Sequence, residues 1–288
     1  MCPPPTAQET DVSELDLQYL CDLVRTRSAI VLETSKAYLF KARLEPLARA
    51  KGLGGIAGLV GALRQPGASP ALANDVVDAM TTNETSFFRD LHPFETLREK
   101  VLPELIARRN ATRRLNFWCA ASSSGQEPYT VAMLLQEHFP ELQSWQVRFV
   151  ATDISPSMLE RCRSGIYSQL EVNRGLPITY LVKYFEKQGN DWQFKEHIRR
   201  SIDFQLMNLI QPWPSLPKMD LVFMRNVLIY FDMDTKREIL RRVSGLMQPD
   251  AALFLGTAET TLNIDETFHR VVHNSTTYYG LANSYSTP

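Results

Sequence analysis

The feature that most constrains this chain is a series of apolar runs, each ending in a polar loop and separated from the next by a helical pattern. "RLNFWCAA" (114–121) leads into "SSSGQEP", "VRFVATDI" leads into "SPSMLERCRSG", and "MDLVFMRNVLIYF" and "AALFLGTAE" follow. Apolar runs of this length without polar alternation read as strands covered on both faces. Strands alternating with helices imply a mostly parallel sheet with helices on both sides, an α/β fold. The last segment breaks the rule. "FHRVVHNSTTYYGLA" holds two β-rich stretches around Asn274-Ser275 with no helix between them, the pattern of an antiparallel hairpin closing the sheet edge.

The first part of the chain carries no such runs. From Glu14 to Met80, Leu15, Leu17, Leu20, Leu23, Val24, then Leu39, Phe40, Leu44, Leu47, then Leu59, Val60 and Leu63 recur at helical spacing, with breaks at "KGLGG" and "RQPGASP". The expected organisation is a disordered tail (1–13), an all-helical N-terminal domain (14–80), a linker (81–92) and an α/β domain (93–288). Pro93–Arg109 reads as a helix ahead of the first strand. Ser155 followed by Pro156 marks a helix start, and Thr235 with Glu238 has the spacing of a capping box. β-like runs flank Gly189-Asn190 in "YLVKYFEKQGNDWQFKEHIRR", which gives a small β-insertion, about 176–200.

Composition narrows the function. With 31 Lys and Arg against 32 Asp and Glu, the net charge is −1, which argues against a dedicated nucleic-acid binder. The four cysteines (Cys2, Cys21, Cys119, Cys162) form no C-x-x-C pair and stand apart from histidines, so neither a metal site nor a disulfide framework is expected. "MCPPPTAQETD" lacks the basic and apolar regions of a signal peptide. No apolar run approaches the roughly 18 residues of a membrane span. A cytoplasmic protein without membrane insertion is expected.

In open α/β sheets, ligands bind outside the C-terminal ends of the strands. Four such ends are polar here: "CAASSSGQE", "ATDIS", "QLMNLI" and "FMRNVLIY". Asp153 ends the second run roughly 20–30 residues after the first loop, the place of an acid that accepts from ribose hydroxyls. Glu127 opens the helix after the loop. Taken alone, an acid in a first helical turn needs no ligand. Beside a pyrophosphate, though, it would repel at short range, while a ligand with a ribose, no phosphate and cationic groups would tolerate it. S-adenosylmethionine has that chemistry, and a nicotinamide dehydrogenase is disfavoured.

"TTNETSFFRD", "AASSSGQEPYTVAML", "ATDISPSMLERCRSGIY" and "MRNVLIYFD" together resemble, in order and spacing, the motif series of the CheR chemotaxis methyltransferases. With the helical first domain, the resemblance runs from about residue 14 to 282. It implies a Rossmann-like class I methyltransferase sheet with an antiparallel edge hairpin and a small β-insertion, preceded by an all-helical domain. The implied activity is transfer of the methyl group of S-adenosylmethionine to receptor glutamates, leaving S-adenosylhomocysteine and a glutamyl methyl ester. By matching positions, the resemblance implies cofactor contacts from Asn83, Thr85, Arg89, Glu127, Asp153, Asn208, Leu209, Arg225 and Asn226. It also makes Arg89 and Tyr230 the catalytic candidates for handling the acceptor carboxylate. Several have a plainer reading: Asn83 and Thr85 as turn caps, Asn208 as a strand end, Arg225 in a structural ion pair, Tyr230 as a strand-end aromatic. Phe87 and Phe88 read as core.

In "SKAYLFKARLEPLARAK" the cations outnumber Glu45, which alone describes a solvated helix face. The resemblance makes this helix a reader of the acidic cytoplasmic helices of methyl-accepting chemotaxis receptors, with Arg43 and Arg49 as its contacts. Family members that tether a receptor C-terminal pentapeptide tend to carry a longer, glycine-containing loop in the β-insertion. The short one here points to an enzyme that works without that anchor, as a monomer. Competing readings are a methyltransferase with another protein acceptor and a non-catalytic S-adenosylmethionine-binding signalling module.

Overall fold

The computed structural model describes residues 12–282, so Cys2 and nearly all of the expected tail lie outside the described residues. Ser13, assigned to that tail from composition, instead caps the first helix by accepting from the N–H of Asp16. The chain divides into two units after Thr81.

The first unit is helical: α1 (Glu14–Ser28), α2 (Ala37–Ala50), α3 (Ile56–Arg64) and α4 (Pro70–Met80). One face of each contributes to a common core that includes Leu20, Val24, Phe40, Leu44, Leu59, Val60 and Val76. Helices of this length are marginal alone, so packing of these stripes holds them. Ser69 accepts from the N–H of Ala71 and Pro70 takes the first position of α4, where a missing N–H costs nothing.

The second unit is built on a sheet of seven strands: β1 (Arg114–Ala120), β2 (Gln146–Asp153), β6 (Asp203–Leu206), β7 (Met219–Met224), β8 (Met247–Leu255), β9 (Phe268–His273) and β10 (Thr276–Leu281), in the order β6-β2-β1-β7-β8-β10-β9. The first five are parallel, and β10 runs antiparallel to β8 and β9. All six residues of β7 are buried, because helices cover both faces. The hairpin β9–β10 turns at Asn274-Ser275, with Asn274 at φ +49°.

The helices of this unit are α5 (His92–Thr96), α6 (Leu102–Arg109), α7 (Gln126–His138), α8 (Pro156–Ser164), α9 (Gln169–Asn173), α10 (Ile178–Tyr184), α11 (Glu196–Arg199) and α12 (Met233–Leu246). A π-helical turn at Leu97–Val101 joins α5 to α6, where a single helix from Pro93 to Arg109 was expected. Ser155 caps α8 as expected. Helix α12 is not capped by the Thr235–Glu238 box. Asp232 accepts from the N–H of Thr235, and Glu238 pairs with Arg241.

The β-insertion also differs from its outline at 176–200. Its three-stranded antiparallel sheet takes β3 (Ile166–Ser168) from earlier in the chain, against β5 (Asp191–Phe194) and β4 (Phe185–Gln188). "ITYLVKY", expected to be partly strand, is helix α10, with Leu181 and Tyr184 turned inward three residues apart. Packing of that helical stripe overrides the β propensity of Ile, Tyr and Val. Phe87 and Tyr167 sit in this core beside Phe185 and Phe194. Among the described residues, no helix is long and apolar enough to cross a membrane.

Candidate active site

From β1 the chain proceeds outward through β2 to β6, then returns to place β7 and β8 on the other side of β1. Strand order therefore reverses between β1 and β7, and the C-terminal ends of the strands at such a switch point are where ligands bind in open α/β sheets. The loops that follow β1, β2, β6, β7 and β8 line this region, together with the segment 82–91.

The first loop is fixed from several directions. Ser123 donates its N–H to Asp153 Oδ2 at 2.7 Å and its hydroxyl to the carbonyl of Asn83 at 3.0 Å. Its own carbonyl accepts from Cys162 Sγ, and the carbonyl of Ser124 accepts from the Tyr167 hydroxyl at 2.6 Å. The lone glycine is required by the protein's own packing. Gly125 has φ +92°, and a Cβ there would lie 2.9 Å from Cys162 Sγ. Asp153, buried, also takes the N–H of Ser155 at 2.9 Å, so one carboxylate joins the loops after β1 and β2.

Across the switch point, Arg225 Nη1 lies 2.6 Å from Glu127 Oε2. Its Nη2 donates to Asp90 Oδ2 at 2.7 Å and to the carbonyl of Arg89 at 3.1 Å. The Arg225 side chain is 1% exposed and that of Glu127 14%. The charge of Glu127, which sequence reasoning left open to a cationic ligand, is thus met by a guanidinium of the protein. Cys119 Sγ donates to the other Glu127 oxygen. Burial, with Glu127 beside it, pushes the Cys119 thiol well above its ordinary value, and burial pushes Cys162 up to about 12. Both stay protonated donors rather than nucleophiles.

The remaining sequence candidates in this unit take their places on the same loops. Asn83 and Thr85 lie half-buried on the segment before Phe87, and Arg89 Nη1 donates to the carbonyl of Glu84 at 2.8 Å. Asn208 Oδ1 accepts from the N–H of Ile210, and the carbonyl of Leu209 accepts from Trp213 Nε1 and Arg242 Nη1. Asn226 stands at φ +58° and Tyr230 ends the short turn Leu228–Tyr230, half-buried. Phe88, Asp90, Leu91, Ala121, Ser123 and Asn226 are six of the ten non-glycine residues with positive φ among the described residues. Backbone strain of this kind concentrates where geometry serves function, and here it concentrates on these loops.

Arg43 and Arg49 belong to the helical unit. Arg43 donates to the carbonyls of Met80 and Thr81 at 2.8 and 3.0 Å, closing the end of α4. The Arg49 side chain is 76% exposed, 3.6 Å from Glu45. Sequence reasoning missed two residues on the site loops, Asp90 and Glu259. Glu259 lies in the polar stretch after "AALFLG", so the strand-end rule that selected Asp153 applies equally to it. Asp90 offered no signal beyond its place beside Arg89.

The site suits S-adenosylmethionine. Arg225 Nε is buried with no acceptor among the described residues, an open donor of the kind a ligand oxygen satisfies. Asp153 stands at the strand end where ribose hydroxyls are read, and the loop after β1 lacks the glycine run of a phosphate cradle. Fold and site define a Rossmann-like methyltransferase that uses S-adenosylmethionine as methyl donor. Residues 83–277 match the family described as CheR methyltransferase, SAM binding domain, and residues 15–81 match CheR methyltransferase, all-alpha domain. The chain is 44% identical over 248 residues to chemotaxis protein methyltransferase 1 of Pseudomonas aeruginosa, spanning 84% of this chain and 89% of that relative. It is 40% identical over 263 residues to chemotaxis protein methyltransferase Cher2 of Pseudomonas putida (89% and 94% of the two chains). Over 276 residues it is 38% identical to chemotaxis protein methyltransferase 1 of Vibrio cholerae (94% and 98%). The protein belongs to the CheR methyltransferase family.

Proposed function

We propose that the protein methylates glutamate side chains of chemoreceptors, converting them to glutamyl methyl esters. The observation that carries this reading is that the cleft's acids and thiols are already engaged. Glu127 is paired with Arg225, Asp153 holds backbone N–H groups, and Cys119 and Cys162 are held protonated. An acceptor that needed deprotonation would lack a base among them. A glutamate side chain, which ordinarily titrates at about 4.3, arrives as its own nucleophile at neutral pH.

The cofactor, when bound, supplies an electrophilic methyl group on a sulfonium. That methyl would pass to the acceptor oxygen while the sulfur kept the electron pair of the bond it lost, so that both charges would be neutralised. The protein's part is orientation and removal of water. Tyr230 orients one carboxylate oxygen, and Arg89 steers the acceptor without a tight ion pair that would quench its nucleophilicity. Asn83, Thr85, Arg89, Glu127, Asp153, Asn208, Leu209, Arg225 and Asn226 hold the cofactor, Glu127 doing so while paired with Arg225.

The helical unit serves as the reader of an acidic receptor helix through Arg43 and Arg49, which chiefly raise the association rate. The protein acts in the cytoplasm as a monomer and does not need a receptor C-terminal pentapeptide. The two-residue turn Gly189-Asn190 between β4 and β5 supports the last point, since it offers little chain to clasp a peptide. Methyl transfer from labelled cofactor to a receptor cytoplasmic fragment tests the main reading, with base-labile label expected. Label that survives base excludes the ester. Tight calorimetric binding of the pentapeptide would overturn the claim of independence.

A further inference from the structure

The turn after β8, "GTAE" (Gly256–Glu259), makes contacts that the proposed chemistry does not use. Glu259 Oε2 accepts the N–H of Asn226 at 2.7 Å and that of Gly256 at 2.6 Å. Its Oε1 accepts the N–H of Val227 at 2.9 Å and that of Ile229 at 3.3 Å. One carboxylate thus holds three amides of the segment 226–229, and the fourth amide belongs to its own turn. Thr257 in that turn bonds Asp90 Oδ2 at 3.3 Å, the same oxygen that takes Arg225 Nη2.

The fit is tight. A Cβ at Gly256 would lie 2.6 Å from Asn226 Nδ2 and 2.9 Å from Asn226 N, so only glycine lets the two loops approach. Asn226 stands at φ +58°, in the left-handed region that asparagine enters more readily than most residues, and its N–H in that conformation points to Glu259. We infer that Glu259 is a positioning residue for methyl transfer: its carboxylate clamps the loop after β7 so that Asn226 is set for the cofactor and Tyr230 for the acceptor. The inference rests on the proposed roles of those two residues. It adds a residue that touches neither ligand.

Glu259→Gln tests the clamp sharply because shape is kept while one oxygen becomes a donor. Whichever way the amide turns, one pair of N–H groups loses its acceptor, either Asn226 with Gly256 or Val227 with Ile229. The expected results are faster hydrogen exchange at the freed amides, weaker calorimetric binding of S-adenosylhomocysteine, and kcat lowered on the order of 100-fold, the cost of displacing reacting groups by about 1 Å. Glu259→Asp, which keeps both oxygens, should restore part of each loss. Asp220→Asn serves as the control. That buried carboxylate near the other end of β7 takes the N–H of Asn116 and the Arg109 guanidinium, so its loss should lower stability while leaving product affinity and kcat unchanged.

Exchange at 226–229, product affinity and kcat all within about twofold of wild type in Glu259→Gln would overturn the clamp, and if the Gln variant does not fold, the same result in Gly256→Ala, whose Cβ must push the two loops apart, would do so. Asp220→Asn losing as much activity per folded molecule would overturn it as well. Hydrogen exchange reads the clamp without any ligand. Failure of the wild-type protein to bind S-adenosylhomocysteine would therefore count against the proposed site and not against the clamp.

Discussion

Glu127 and Arg225, 98 residues apart in the chain, meet at 2.6 Å across the point where the strand order reverses. The pair joins the helix after β1 to the end of β7, and through Asp90 it also holds the segment before α5. Removal of Arg225 leaves Glu127 buried without its cation, a loss of about 3–5 kcal/mol, whereas Arg225 without Glu127 keeps Asp90. Arg225→Met should therefore lower the denaturant midpoint strongly, and the double variant Arg225→Met/Glu127→Gln should recover much of it. Binding of S-adenosylhomocysteine should remain impaired in the double variant, since stability returns but the cleft donor does not. Additive losses in the cycle would mean that the two side chains act separately.

Carboxylate methylation without a general base predicts a flat rate profile. Between pH 6 and 8 the acceptor stays ionised, so kcat should change little, with a fall only as pH approaches the glutamate value of about 4.3. Tyr230→Phe should lower kcat about tenfold, the worth of one orienting hydrogen bond, without changing the shape of that profile. A bell-shaped profile centred near neutrality, or unchanged turnover in Tyr230→Phe, would contradict this mechanism.

Arg43 and Arg49 should separate by type of effect. Arg43 satisfies two carbonyls at the end of α4, so Arg43→Ala should lower the melting temperature of the helical unit, with a loss of about 1–2 kcal/mol. Arg49→Ala should leave melting unchanged, slow association with a receptor fragment and reduce its salt dependence. Equal melting temperatures for the two variants would refute the capping role of Arg43.

Acid stability should depend on Asp250. Arg109 bonds both of its oxygens, at 2.6 and 3.0 Å, and holds its carboxyl below the ordinary value of 3.8. A depressed folded value stabilises the protein above the unfolded one, and the contribution is lost as pH falls through the folded value. Asp220, pushed up by burial, runs the other way and partly offsets it. Asp250→Asn should cost about 2 kcal/mol at pH 7 and flatten the acid limb below about pH 4. Urea midpoints from pH 3 to 7 measure both, and an unchanged acid limb would show that Asp250 does not control it.

Much of the fold is legible in the chain because burial on both faces leaves uninterrupted apolar runs, as at "MDLVFM" and "AALFL". The hairpin at Asn274-Ser275 and the cap at Ser155 are local chemistry, and local chemistry survives in sequence. Helix α10 is not legible, since "ITYLVKY" has strand propensity and becomes helical through the packing of Leu181 and Tyr184. The cap of α12 is not legible either, because Asp232 and Thr235 both suit the role and only the backbone path selects between them.

The site divides in the same way. Asp153, Glu127 and Asn226 can be picked out because polar residues at the ends of apolar strands stand out along one chain. By itself the sequence determined the class of fold, the line of strand-end residues and, through its motifs, the family. Tertiary structure decided which charges meet: Glu127 faces Arg225 rather than open solvent, Asp90 joins them, and Glu259 gathers the amides of a neighbouring loop. The reason is physical. Pairings between side chains so far apart in sequence depend on strand order and loop approach within a few tenths of an ångström, and neither leaves a periodic mark in the sequence.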